Sequence, residues 1–158
     1  MNYREPTYWR MQLHPYRSEG SVRHAAESLN AGFIGLGFAH HIGDLHTVEK
    51  ETLPDRQRNY WAFAHEMEIG DIVLVMARNF PFAICTVSGD YNYIREPVSE
   101  LGVWFRHFRP VIDVSYYADV YINPHEWHRI TMTGTIDPLR SRDSQSRRLI
   151  DEWLAVDK

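Results

Sequence analysis

The chain carries nine histidines, and imidazole is both a common metal ligand and the side chain best suited to proton transfer near neutral pH. His40, His41, Asp44 and His46 fall in one loop and are ligand types that zinc accepts. Their spacing matches no zinc site, no cysteine stands with them, and adjacent histidines rarely hold one ion together. His125-Glu126-Trp127-His128 is one residue short of the H-E-x-x-H helical motif, so its two rings do not frame a zinc face. No metal is expected. Nucleophilic chemistry is equally unsupported: G-x-S-x-G is absent, and Ser88-Gly89-Asp90 lacks the strand, turn and helix of a nucleophile elbow. Gly35-Leu36-Gly37-Phe38 is a partial phosphate-loop match inside a strand, with no G-K-[ST] after it. Among 21 acids no carboxylate pair stands out. The expectation is a non-catalytic protein without a cofactor.

Aromatic residues offer more. Tyr, Trp and Phe make up 21 of 158 residues, and Tyr16, Phe38, Tyr91, Tyr93 and Trp104 all fall where a strand meets a loop. Rings gathered at one rim can sandwich a flat heterocycle, and stacking contributes roughly 1–3 kcal/mol per base. Of the 17 basic residues, 15 are arginine, the side chain suited to phosphate and planar groups. Arg95, Arg106 and Arg109 flank one aromatic segment, and Arg140, Arg142, Arg147 and Arg148 form a second cluster. The same arginines also suit a solvated surface paired with nearby acids. The net charge of −4 argues against a strong non-specific nucleic-acid binder, which is normally basic.

Rings at a rim need a rigid frame, and the central hairpin provides one. Gly70-Asp71-Ile72-Val73-Leu74-Val75 and Phe82-Ala83-Ile84-Cys85-Thr86-Val87 read as buried strands joined by the turn Arg78-Asn79-Phe80-Pro81. Gly89-Asp90-Tyr91-Asn92-Tyr93 leaves the second strand and is expected to expose two rings. Residues 7–13 alternate in the manner of a half-buried strand. After a loop at 14–20, Ser21 caps a helix over 22–30, with Gly32 just past its end. Residues 33–38 form a strand whose two glycines imply close backbone approach or a bulge. A polar loop over 39–53 precedes a helix over 54–67, with Tyr60, Phe63, Ala64 and Met67 on one face. A loop at 96–102 leads to an extended segment over 103–114, and short strands are expected near 120–122 and 129–132. Asp143 or Ser144 starts a closing helix, about 143–155, with a stripe of Leu149, Ile150, Trp153 and Leu154.

Strands outnumber helices and their connections are short, which predicts an α+β fold: a strongly curved mixed sheet or small barrel flanked by helices. The length and the absence of linkers or repeats suit one domain over 1–158. No apolar run is long enough to span a membrane, and the first residues lack the regions of a signal peptide. The single cysteine, Cys85, lies mid-strand and reads as a buried structural thiol. A cytoplasmic location follows as an expectation.

Taken in order, Tyr8-Trp9, the 33–38 glycine strand, Gly43-Asp44-Leu45, the amphipathic helix, the Gly70-Asp71 strand, the Gly89-Asp90-Tyr91 exit and Phe105-Arg106-His107-Phe108-Arg109-Pro110-Val111 resemble the EVE domain of the PUA-like superfamily, a relative of the YTH domain. The resemblance covers about residues 7–136. It implies a PUA-like curved barrel with a pocket for one nucleobase, often methylated adenine or methylated or hydroxymethylated cytosine, flipped from the nucleic acid. Such domains occur alone and as recognition modules of McrB-type modification-dependent restriction enzymes, so fusion to or association with a nucleotide-driven nuclease is a further expectation. On this resemblance Phe38, Tyr91, Tyr93 and Trp104 form the stacking cage, Tyr16 and Arg17 lie in a pocket-lining loop, and Asp113 reads an amino edge. Arg17, Arg95, Arg106 and Arg109 then hold flanking phosphates. Phe38 stands where the family commonly has tryptophan, and Pro110 suggests an edge strand or bulge. DNA is the favoured partner. Modified RNA, or a free nucleoside bound or hydrolysed in the same pocket, are the alternatives.

Overall fold

A computed structural model of the chain describes residues 4–13, 21–36, 42–77, 79–96, 98–101, 105–130 and 135–156. Its elements are β1 (Tyr8–Gln12), α1 (Ser21–Ala31), β2 (Phe33–Leu36), α2 (Arg58–His65), β3 (Ile72–Ala77), β4 (Phe80–Val87), β5 (Asn92–Tyr93), β6 (His107–Tyr116), α3 (Tyr117–Val120), β7 (Ile136–Pro138) and α4 (Gln145–Val156), with short 3-10 turns between. The strands form one sheet in the order β2-β6-β4-β3-β1-β7, with β5 also paired to β6. All neighbours are antiparallel except β1 and β3. The fold is therefore α+β, a curled half-barrel sheet with four helices among the described residues.

The apolar run of β3 is explained by burial on both faces. Val73 and Val75 join a core with Trp9 and Met11 of β1, Leu29 of α1 and Phe63 of α2. Leu74 and Met76 point the other way, beneath Leu149, Ile150 and Trp153 of α4. Ile34 and Leu36 of β2 and Ile136 of β7, from opposite ends of the strand order, share the first core, as a curled sheet requires. Ser144 caps α4: its Oγ accepts the Arg147 amide at 3.1 Å, the role expected for a residue of that type before an apolar stripe.

Several expectations need correction. The hairpin turn is tighter than four residues, because β4 already begins at Phe80. Pro81 lies in the strand opposite Met76, beside a bulge that tolerates its missing N–H. Residues 120–122 are not a strand: α3 ends at Val120, and Ile122 is 81% exposed. Arg129 and Ile130 lie outside any strand, while residues 131–134 lie outside the described residues. The last strand is β7, at the sheet edge beyond β1. Pro110 is interior, since β6 runs between β2 and β4. It is accommodated because β4 has ended beside it: its carbonyl accepts from Ser88, and its ring packs against Gly89. A Cβ on Gly89 would lie 2.7 Å from Pro110 Cγ, which is why the exit from β4 begins with glycine.

The Gly70-Asp71 pair also has a structural cause. Gly70 has φ +98°, a conformation that glycine adopts without steric cost. The Asp71 carboxylate is fully buried. Oδ1 accepts from Arg4 Nη2 at 2.7 Å and from the Thr7 amide at 3.0 Å. Oδ2 accepts from Trp9 Nε1 at 3.0 Å and from the Glu68 amide at 2.9 Å. One acid thus ties the entry to β1 to the entry to β3.

Candidate functional site

Three strands meet at one corner of the sheet. His107, at the start of β6, pairs with Leu36 of β2 on one side and Tyr93 of β5 on the other. Phe105 is buried just before it and fills the space that Gly35 leaves open: a Cβ there would come within 2.4 Å of the Phe105 ring. The glycine strand therefore reflects close approach, as its composition suggested. Tyr93 is half-buried, with its ring 5.2 Å from the His107 ring at 40°. The Ile94 amide donates to the Arg106 carbonyl at 2.8 Å, so Arg106, half-buried, and Arg95, exposed, leave neighbouring strands beside Tyr93.

Behind this corner lies a layer of rings that organises the histidine-bearing loop. The Leu45 peptide is held at both ends: its amide donates to Tyr91 Oη at 3.0 Å, and its carbonyl accepts from His65 Nε2 at 2.8 Å. Tyr91 Oη lies 2.6 Å from His107 Nδ1. The phenol thus joins the Leu45 amide to the His107 ring. His46 packs edge-on against Tyr91 at 4.8 Å. Trp61 stacks on His65 at 4.0 Å and 17° and donates to the Val48 carbonyl. Burial pushes the Tyr91 phenol well above its ordinary value. These contacts hold the loop in place.

A family described as "Domain of unknown function (DUF8426)" matches residues 9–139. The chain belongs to this family. The DUF8426 match runs from β1 through β7 and leaves α4 outside it. No curated protein matches. Among solved structures, the chain is similar to a hypothetical protein from Leishmania major, with a TM-score of 0.41 and 11% identity over 95% of this chain and 94% of that one. It is also similar to protein Atu2648 from Agrobacterium tumefaciens, with a TM-score of 0.37 and 14% identity over 91% and 89% of the two chains.

Within this DUF8426 domain the residues singled out by sequence separate into three groups. Tyr93, Arg95 and Arg106 occupy neighbouring backbone positions at the His107 corner. Tyr91, Arg109 and Asp113 do not serve as expected. Tyr91 is 5% exposed, so it is a hydrogen-bonded core ring and not a free stacking face. Arg109 is 3% exposed; Nη1 donates to the Phe63 and Met67 carbonyls at 3.0 and 2.7 Å, and Nε to the Gly89 carbonyl. It satisfies the unpaired carbonyls at the C-terminal end of α2, where a cation also complements the helix dipole, and is corrected from phosphate ligand to helix cap. Burial lowers its pKa, opposed by Asp90, Asp71 and Glu68. Asp113 is exposed with φ +54°, at the bulge where β6 carries an extra residue opposite β4. It lies six residues along β6 from His107, roughly 20 Å at strand spacing, and cannot read a base held by Tyr93.

Phe38, Trp104, Tyr16, Arg17, His40 and His41 lie outside the described residues. Among the described residues no cluster of three metal-binding side chains exists, and His128 Nδ1 faces Tyr117 Oη at 2.9 Å. Cys85 is buried and unpaired in a disulfide, its thiol pushed up to about 12 by burial. No described helix is long and apolar enough to cross a membrane. The ring layer around Leu45 was not foreseen. The Trp61/His65 spacing, four residues along a helix, was the available signal.

Proposed function

We propose that this domain is a non-catalytic nucleic-acid reader of PUA-like, EVE-type architecture that receives one modified base at the His107 corner. Tyr93 supplies the stacking face, backed by His107, and Arg95 and Arg106 take the flanking phosphates. The observation that carries the reading is the strand pairing that brings a half-buried ring, Tyr93, and the backbone positions of Arg95 and Arg106 to the corner where β2, β5 and β6 meet. The chain-order resemblance to EVE domains and the curled sheet support it. Tyr91 and Arg109 contribute indirectly, by holding the loop and helix behind the corner.

Magnitudes narrow the substrate. Extracting a base from a duplex costs a few kcal/mol, while one stacked ring returns roughly 1–3 kcal/mol. A base that is already unpaired is therefore favoured over one inside an intact duplex. With a net charge of −4, phosphate attraction is modest, and the modification must decide occupancy.

Fluorescence anisotropy with single-stranded and duplex oligonucleotides, carrying methylated adenine, methylated cytosine, hydroxymethylated cytosine or no modification, tests this. At least one modified strand should bind about tenfold more tightly than its unmodified counterpart. Tyr93→Ala should weaken that binding by about fivefold or more, the factor that corresponds to loss of about 1 kcal/mol. Equal binding to all strands, or none, refutes the proposal. A ribose series separates DNA from RNA, because only an RNA reader should depend on the 2′-hydroxyl.

A further inference from the structure

At the far end of β6, roughly 30 Å from His107 at strand spacing, lies a second hollow. Its volume is about 490 Å³. Its described walls are the rings of Phe80, Phe82, Tyr116, Tyr117 and Trp127, and its small residues include Ala77 and Ala118. Phe80 and Trp127 approach edge to face at 6.5 Å and 63°, Tyr117 and Trp127 at 5.7 Å and 74°, and Phe82 and Tyr116 at 5.6 Å and 80°. Tilted rings leave faces and edges open to a guest instead of closing on one another.

The polar tips of these rings are all engaged elsewhere in the protein. Tyr116 Oη donates to Asn30 Oδ1 at 2.7 Å. Tyr117 Oη accepts the His128 amide at 2.7 Å and faces His128 Nδ1 at 2.9 Å. Trp127 Nε1 donates to the Tyr121 carbonyl at 2.6 Å. The aromatic walls therefore present hydrocarbon to the hollow. On the described walls, that disfavours two occupants that aromatic grooves often take. A polyproline peptide relies on ring N–H and O–H donors for its carbonyls, and a nucleobase would bury unpaired edge atoms at about 1–3 kcal/mol each.

We infer that this hollow is a binding site for a small uncharged apolar molecule, independent of the base site. An engineered cavity of about 150 Å³ holds benzene, so this one accommodates a guest of two or three fused or linked rings, or an aliphatic chain of similar bulk. Its size lies within the usual range for small-molecule pockets.

The test is titration of the whole protein with N-phenyl-1-naphthylamine, an uncharged probe whose fluorescence rises in apolar surroundings. Saturable binding of one probe per chain is expected. Ala118→Leu, at an exposed helical position, fills the hollow and should weaken probe binding at least tenfold, as should Phe80→Ala by removing a wall. Tyr93→Ala should leave probe binding unchanged, and Ala118→Leu should leave oligonucleotide binding unchanged, so failure at one site is distinguishable from failure at the other. Circular dichroism verifies that each variant is folded, and Phe80→Ala carries the test if Ala118→Leu is not. Absence of saturable probe binding, equal binding by both folded pocket variants, or concentration-dependent self-association that Ala118→Leu abolishes would overturn the inference; the last outcome means that a second copy fills the hollow.

Discussion

Asp71→Asn tests whether one buried acid locks the entries of two strands together. The carboxylate accepts four hydrogen bonds, two at each oxygen. An amide keeps only one good acceptor, so its NH2 must confront one of the two donor pairs. Facing Trp9 Nε1 and the Glu68 amide would orphan two donors around a 2% exposed indole. The cheaper orientation turns the NH2 toward Arg4 and Thr7. Arg4 is 43% exposed and keeps Glu68 as a partner, so it escapes to solvent, while the Thr7 amide loses its acceptor. An orphaned donor costs about 1–3 kcal/mol, and the charge on the remaining bonds is lost as well. The expected destabilisation is about 2–4 kcal/mol, or roughly 5–15 °C in Tm for a chain of this size. Arg4→Ala, which removes only an exposed partner, should cost no more than about 1 kcal/mol. Thermal and urea denaturation followed by circular dichroism measures both. An Asn variant within about 2 °C of the parent, or one no worse than Arg4→Ala, would refute the assignment of the Gly-Asp pair to architecture.

Other consequences are equally measurable. Tyr91→Phe removes the oxygen between Leu45 and His107 and should cost about 1–3 kcal/mol in urea denaturation, while lowering oligonucleotide affinity less than Tyr93→Ala does. Gly89→Ala places a methyl 2.7 Å from Pro110 Cγ and should destabilise by about 1–3 kcal/mol; Gly35→Ala, at 2.4 Å from the Phe105 ring, should cost more, and equal stability of either variant with the parent counts against the packing described. The Cys85 thiol, raised from 9.0 to about 12 by burial, stays protonated in the folded protein while the unfolded chain ionises. Stability should therefore fall as pH rises from about 9 towards 12, a slope that Cys85→Ala removes, and thiol reagents at pH 8 should react only on unfolding.

The hairpin, α1 and α4 were legible because their residues report burial directly: β3 is apolar on both faces, and α4 repeats its stripe after a serine cap. Residues 120–122 misled because Val120, Tyr121 and Ile122 carry β-forming side chains. The informative spacing was Tyr117 to Tyr121, a helical i,i+4 pair whose rings stack at 4.6 Å. The base-reading role of Asp113 rests on the resemblance alone, and the bulge with its positive φ is not visible in the sequence of residues 111–114. Arginine types alone cannot separate Arg109, whose stem threads beneath α2, from Arg95 on the surface. That difference arises only from the pairing of distant segments. β7 went unread because Ile136-Asp137-Pro138 is short and contains a proline, which an edge strand tolerates.

The position of β1 between β3 and β7 bears on how the protein is made. As the chain leaves the ribosome, Trp9 and Met11 emerge ahead of their partners, which begin only at Ile72 and Ile136. The parallel pairing with β3 must span a long loop, an entropic cost that slows folding. Until residue 138 has been synthesised, β1 presents an unpaired edge, so the nascent protein's exposure to chaperones and to self-association is set by translation through β7.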